Sequence, residues 1–153
     1  MNKKDLIMLC HLRNNARIQL TEMSKLTGIP VSTLYERLTK QKFIKKFTAV
    51  PDFSMIGFST RAYVLLSVRA KDKEDVKQFL MGHPHVNNLW RINNGYDFLF
   101  EGIFSNVKEV ENLFDLLERQ YGIRNKVTHY VIDSLKEHDF LSSPQAADWA
   151  YKR

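Results

Sequence analysis

Apolar positions recur with two different periods along this chain, and the change of period divides it. Leu6, Ile7, Leu9, Cys10 and Leu12 keep a helical spacing, with Lys3, Lys4, His11 and Arg13 mostly on the opposite side. This predicts an amphipathic helix that closes near Asn14 and Asn15, residues that tolerate left-handed backbone. A second helix opens around residues 20–23, with Thr21 as its N-cap and Met23 and Leu26 as its buried side. Thr27, Gly28, Ile29 and Pro30 stop it: glycine permits the positive φ of a tight turn, and proline confines the residue before it to extended backbone. A third helix follows over about residues 31–41, with Val31, Leu34 and Leu38 facing inward. Two short helices joined by a glycine turn and braced by a preceding helix make a helix-turn-helix.

Residues 43–50 (FIKKFTAV) mix aromatic and β-branched residues with lysines and read as a short strand or wing. A polar connector with proline and glycine follows over 51–58 and predicts a hinge. Beyond it the pattern alternates. Residues 61–69, 86–92, 96–104 and 125–135 read as strands, and 73–81 and 107–121 as helices, the former presenting Val76, Phe79 and Leu80. The order β-α-β-β-α-β is the ferredoxin-like arrangement, an antiparallel sheet with two helices on one face and the other face available for self-association or ligand. The predicted fold is therefore α+β, an N-terminal winged helix-turn-helix followed by a C-terminal ferredoxin-like domain. Its divisions are 1–50 for the helix-turn-helix, 51–60 as linker, 61–136 for the ferredoxin-like domain, and a tail, 137–153, without a clear period that reads as a short docking helix.

Charge sharpens this picture. The first 52 residues carry ten Lys/Arg against four acids, and the remaining 101 carry thirteen of each sign, so the whole net charge of +6 sits on the helix-turn-helix segment. The commonest anionic partner of a small basic domain is a nucleic-acid backbone. Apolar runs fall far short of the roughly 20 residues that span a bilayer, so no membrane partner is expected. Cys10 is the only cysteine and cannot form an internal disulfide. The opening stretch is broken by His11 and Arg13 and lacks a small-residue cleavage site, which with the lone cysteine points to the cytoplasm.

A recognition helix sets its N-terminal residues against base edges while phosphate contacts fix its register. On the third helix Ser32, Thr33, Glu36, Arg37, Thr39 and Lys40 are spare, and Thr33, Glu36, Arg37 and Lys40 share a face. Arg37 suits guanine or a phosphate, Ser32 and Thr33 either partner, and Glu36 cytosine. The alternative is a solvated face with a Glu36–Lys40 pair. Tyr35 could face either core or groove. Lys25, Lys42, Lys45 and Lys46 are placed for phosphate, adding affinity and salt dependence without sequence information. His83 and His85 flank Pro84 without a cysteine or acid at ligand spacing, so no metal is predicted. No phosphate-binding glycine loop, serine elbow or Cys–His pairing occurs, so neither cofactor nor enzyme activity is expected.

Three segments in this order, NARIQLTEMSKLTGIPVSTLYERL, FIKKFTAVPDFSMIGF and NNGYDFLFEG, make the chain over residues 4–136 resemble the Lrp/AsnC family of prokaryotic transcription regulators. The resemblance implies a regulator of double-stranded DNA, assembled as a homodimer or as a tetramer or octamer, and modulated by an amino-acid-like effector. Two departures bear on function. The stretch from Leu38 to Phe43 is shorter than in the family by almost one helical turn. Where the family's effector loop commonly reads Thr-Gly-any-Tyr-Asp, this chain has Asn93-Asn94-Gly95-Tyr96-Asp97. By resemblance Asn94, Gly95 and Asp97 form the effector site, with Asp97 on the ligand's amino group; its other reading is a turn cap. Because family effector sites lie between neighbouring dimers, binding and assembly would be linked. Two further readings share this architecture: an effector-responsive assembly with weak DNA binding, and a siroheme-decarboxylase-like enzyme. The second is disfavoured, since Asn88-Leu89-Trp90-Arg91 stands where such enzymes carry histidine and arginine.

Overall fold

The computed structural model describes residues 2–152. Its elements in chain order are α1 (Lys3–Asn14), α2 (Leu20–Thr27), α3 (Val31–Lys40), β1 (Thr60–Val68), α4 (Lys73–Gly82), β2 (Val86–Arg91), β3 (Phe98–Phe104), α5 (Val107–Gln120), β4 (Ile123–Tyr130) and α6 (Pro144–Tyr151). They form two compact units. One combines the N-terminal residues up to Ala49 with those from Leu135 onward; the other is Val50–Ser134.

In the first unit α1 opens with a capping box. The Asp5 amide donates to Asn2 Oδ1 at 3.0 Å and the Asn2 amide donates to Asp5 Oδ2 at 2.9 Å, satisfying donors that a helix start otherwise leaves unpaired. Leu6, Met8, Cys10 and Leu12 are all buried, a pattern too wide for a one-sided helix. Met8 and Leu12 pack with Met23, Ile29 and Leu34 in the helix-turn-helix core, while Leu6 and Cys10 pack against Ala147 of α6. The tail therefore returns to α1. Arg13 fastens the approach, donating from Nε to the Phe140 carbonyl and from Nη2 to that of His138, each at 2.5 Å. Lys3 pairs with Asp148 at 2.7 Å.

Several local expectations change. Gly28 takes the left-handed φ of +69° that the turn requires, but Asn15 is extended, with φ −147°, and its side chain instead accepts from the Arg17 amide at 3.0 Å. The N-cap of α2 is Gln19, not Thr21. Leu26 and Val31 are exposed, at 61% and 39%. With only eight residues in α2, Met23 is its one fully buried side chain, and Ile18, Leu20, Leu38, Phe43 and Ile44 close the core from outside. No strand forms over 43–50. Phe43 and Ile44 are drawn into the core and Gln41 Oε1 accepts from the Ile44 amide at 2.7 Å, while a wing would need a second strand to pair with.

The second unit is a four-stranded sheet in the order β2-β3-β1-β4, with every neighbouring pair antiparallel. Ala62, Val64, Leu66 and Val68 of β1 and Phe98, Phe100 and Phe104 of β3 bury one face under α4 and α5, which contribute Val76, Leu80, Val110, Leu113, Phe114 and Leu117. Period-two alternation places these residues on one side. Gly102 belongs to that face, and a Cβ there would collide with the Phe104 ring. Asn94 and Gly95, both left-handed with φ of 64° and 87°, turn β2 into β3. The final strand ends at Tyr130, five residues before the sequence suggests. A further bond follows, from the Val131 amide to the Arg61 carbonyl, and Ile132 and Leu135 are exposed at 98% and 91%.

The seam between α1 and α6 gives a direct expectation. Cys10 is fully buried, and that burial pushes its thiol pKa up against the weaker opposing pull of Arg13, so it should resist Ellman's reagent in the native protein. Replacing Ala147 with tryptophan overfills the seam at a cost of about 1–3 kcal/mol. Rapid labelling of Cys10 in Ala147→Trp and a lowered Tm are expected; unchanged protection would mean that α6 does not cover the thiol.

Candidate DNA interface and effector cavity

The turn at Gly28 is held from α2. Thr27 Oγ1 donates to the Met23 carbonyl at 2.7 Å and accepts from the Ile29 amide at 3.2 Å, so α3 leaves the turn in a defined direction. Leu34 anchors α3 at 0% exposure. Ser32, Tyr35, Glu36, Thr39 and Lys40 are left exposed and Thr33 half-buried. Tyr35, at 64% exposure, is on the solvent side rather than in the core. Glu36 and Lys40 pair at 2.6 Å; the Lys40 hydrogen bond, with its charge, holds the Glu36 carboxyl below its ordinary value. Thr39 Oγ1 donates back to the Tyr35 carbonyl at 2.8 Å.

Arg37 is turned away from that face. Its Nη1 donates to Asp5 Oδ1 at 2.5 Å and to Asn2 Oδ1 at 3.1 Å. The pair is largely sheltered, with side-chain exposures of 28% for Arg37 and 15% for Asp5, and Arg37 Nε is buried without a hydrogen-bond partner among the described residues. Burial pushes the Asp5 carboxyl up, but the Asn2 amide and the Arg37 guanidinium outweigh it and leave Asp5 below its ordinary value. Arg37 thus braces α3 against the capped end of α1. Lys25, Lys42, Lys45 and Lys46 are exposed and make no ion pair among the described residues.

In the second unit Asp97 is a hub of polar bonds. Its amide donates to the Leu66 carbonyl at 2.8 Å and its carbonyl accepts from the Ile92 amide at 3.1 Å. Oδ2 accepts from the Val68 amide at 2.9 Å, and Oδ1 pairs with Lys73 Nζ at 2.5 Å. Burial pushes Asp97 up, while Lys73, the Val68 amide and Arg124 outweigh it and hold it low. It lines a cavity of about 590 Å³ with an apolar side of Met81, Leu89 and Phe98 and a polar side that includes Lys71, Lys73, Lys77 and Arg91. Asn94 and Gly95 shape the hairpin but do not line this cavity. The four cations were absent from the sequence-derived set, although Lys73 and Lys77, one helical turn apart, are a legible signal.

A second unforeseen feature is Glu101, buried to 4% exposure on the helix-free face of the sheet. A bulge between Val86 and Asn88 brings Asn87 and Asn88 together onto Glu101 Oε2, at 2.7 and 2.5 Å. The Tyr63 hydroxyl donates to Oε1 at 3.2 Å and Arg61 Nε lies 3.3 Å from it. His83 and His85 face each other at 5.6 Å between ring centres; burial pushes His83 down, with His85 adding to the shift. Among the described residues no three metal-ligating side chains converge, and no helix is long and apolar enough to cross a membrane.

Comparison with known proteins gives a consistent result. Residues 61–141 match the Lrp/AsnC ligand binding domain. The chain is 32% identical over 129 residues to the HTH-type transcriptional regulator FL11 of Pyrococcus horikoshii, covering 82% of this chain and 85% of that one. Among solved structures it is similar to a transcriptional regulator of Neisseria meningitidis in complex with L-Met, with a TM-score of 0.83 and 19% identity over 90% of this chain and 93% of the other. It is also similar to AsnC of E. coli, with a TM-score of 0.79 and 18% identity over 90% and 95%. At these identities the structures establish the fold alone.

The brace between Asp5 and Arg37 carries a pH signature. Because folded Asp5 titrates below its unfolded value, the pair stabilises the first unit fully above the ordinary carboxylate range and is lost as pH falls through the lowered folded value. Asp5→Asn should lower stability by about 1–2 kcal/mol at neutral pH, the buried-pair cost discounted for partial exposure. The difference from wild type should shrink as the solution is acidified. Denaturant titrations at several pH values check this, and a pH-independent difference would remove the ion pair as its cause.

Proposed function

The chain belongs to the Lrp/AsnC family, and from that premise we propose how this DNA-binding transcription regulator reads DNA and what it responds to. The observation that carries the reading is the first unit's core, which fixes α2, the Gly28 turn and α3 while leaving Ser32, Glu36, Thr39 and Lys40 in solvent. A helix presented in this way enters the major groove. Ser32, Thr33, Glu36 and Lys40 meet base edges; Lys25, Lys42, Lys45 and Lys46 grip phosphates. Arg37 acts through Asp5 as a positioning residue. Residues 1–50 are the DNA-binding part, 51–60 the linker and 61–136 the part that dimerises and holds an effector, in a cytoplasmic protein. Two copies joined through the helix-free sheet face would present two recognition helices to a pseudo-palindromic site, and further association would build tetramers or octamers.

The effector is a small molecule related to an amino acid, held in the cavity that Asp97 lines. Support comes from the family's ligand-binding domain over residues 61–141 and from a cavity within the range of about 300–1,000 Å³ that ligand sites occupy.

Fluorescence anisotropy with the duplex upstream of the protein's own gene and a scrambled duplex, at several salt concentrations, tests the DNA reading. Binding should weaken steeply with salt and favour the upstream duplex. The double variant Lys45→Gln, Lys46→Gln should reduce the slope of log affinity against log salt by about 2 on both duplexes, one unit per lost phosphate contact. Glu36→Gln should leave the slope unchanged and alter the preference between duplexes. Salt-independent binding would overturn the reading.

A further inference from the structure

The cavity beside α4 carries more charge than it uses. Lys71, Lys73, Lys77 and Arg91 line it against two acids, Glu74 and Asp97. Both acids are already engaged. Asp97 holds Lys73 through Oδ1 at 2.5 Å and the Val68 amide through Oδ2 at 2.9 Å. Glu74 Oε1 accepts from Lys77 and Gln78, each at 2.8 Å, and Oε2 from Lys77 at 3.1 Å. Lys71 and Arg91 form no ion pair among the described residues. Lys71 contributes to holding the Asp72 carboxyl low, yet neither it nor Arg91 is tied into an ion pair, and the two share the cavity with the apolar side chains of Leu89, Phe98 and Met81, the last 64% exposed.

The strand geometry explains the juxtaposition. Arg91 lies opposite Phe98, and Leu89 opposite Phe100, in the β2–β3 ladder, and Phe98 and Phe100 belong to the helix-covered face. Arg91 and Leu89 are therefore on the same side of the sheet as α4, at its edge strand. A ligand entering there meets excess positive charge and an apolar surface.

This arrangement discriminates between an amino acid and its keto analogue. An α-ammonium group needs an acceptor with negative charge to spare, and the cavity offers none without displacing Lys73 from Asp97 or Lys77 and Gln78 from Glu74. A carboxylate needs cations that no ion pair engages, and the cavity offers two. We propose that the cavity binds a small organic carboxylate that lacks an ammonium group, an α-keto acid with a branched or linear apolar side chain, in preference to the corresponding amino acid. Arg91 and Lys71 hold the carboxylate, and Leu89, Phe98 and Met81 receive the side chain. This rests on the effector-cavity reading and names the class of ligand for it.

Isothermal titration calorimetry of the full-length protein with the α-keto acid of leucine, leucine itself and inorganic phosphate tests the proposal, with Leu89→Trp as a variant that fills the cavity. The keto acid should bind at least about tenfold more tightly than leucine, since a charge-assisted contact left unmade costs that much. Arg91→Gln should weaken it by about tenfold on the same grounds, and Leu89→Trp should abolish it while DNA binding without ligand is kept. Leucine binding as tightly as the keto acid, and lost in Leu89→Trp, would overturn the ligand class and leave the effector cavity standing. Phosphate binding as tightly as the keto acid would remove the apolar side chain from the recognition. Failure of every probe, or binding that Leu89→Trp leaves intact, would overturn both the class and the cavity.

Discussion

Helix α1 is buried from two sides, and the rest of the first unit is arranged by that constraint. One side holds Met8 and Leu12 in the helix-turn-helix core; the other holds Leu6 and Cys10 against α6. Its capped start supplies Asp5 and Asn2 to Arg37, so the same turn that satisfies its own backbone donors also sets the position of α3. A helix of eight residues such as α2 is too short to be stable alone, and its single fully buried side chain, Met23, gives it little independent hold. The recognition helix therefore depends on α1 for its direction, and α1 depends on tertiary packing on both faces.

That dependence decides which side chains of α3 remain uncommitted. With Arg37 committed to Asp5 and Lys40 paired to Glu36, the exposed part of α3 is nearly neutral and presents hydroxyls and one aromatic ring. The uncommitted charge lies beside it, on Lys25 and the run from Lys42 to Lys46. On the proposed reading affinity and sequence preference would come from different segments, in line with the general division between phosphate contacts that position a protein and base contacts that specify its site.

The overall architecture was legible because it rests on strong local signals. The glycine turn at Gly28, the order of strands and helices, and the left-handed pair at Asn94 and Gly95 each follow from backbone sterics or side-chain period. What was not legible depends on contacts distant in sequence. Arg37 lies 32 residues from Asp5, so its helix spacing, which places it beside Glu36 and Lys40, says nothing of the partner that claims it. Met8 looks spare on a one-sided wheel and is buried because it faces the helix-turn-helix core while α6 covers Leu6 and Cys10 on the other side. Leu26 and Val31 fit the helical period and are exposed because the helices that carry them are short and the core is closed by Ile18, Leu38 and Phe43 instead. Glu101 gave no sign of burial, since only a bulge in the neighbouring strand brings two asparagines onto one carboxylate oxygen.

Glu101 and Asp97 also differ in what they permit. Glu101 sits on the helix-free face with both oxygens occupied, and removing any one donor would leave a buried charge less compensated, so the cluster is rigid in composition. A second copy of the chain meeting that face finds a polar centre among Leu65, Leu99 and Val127, which penalises pairings that leave it unmatched. Asp97, by contrast, holds β1 to the β2–β3 hairpin through Leu66 and Val68 while sharing Lys73 with an open cavity. The Asp97–Lys73 pair thus ties the seat of the hairpin to the wall of that cavity. A ligand shifts an equilibrium only through such differential contacts. The first unit takes both ends of the chain, so two covalent connections, near residues 50 and 134, join it to the sheet unit.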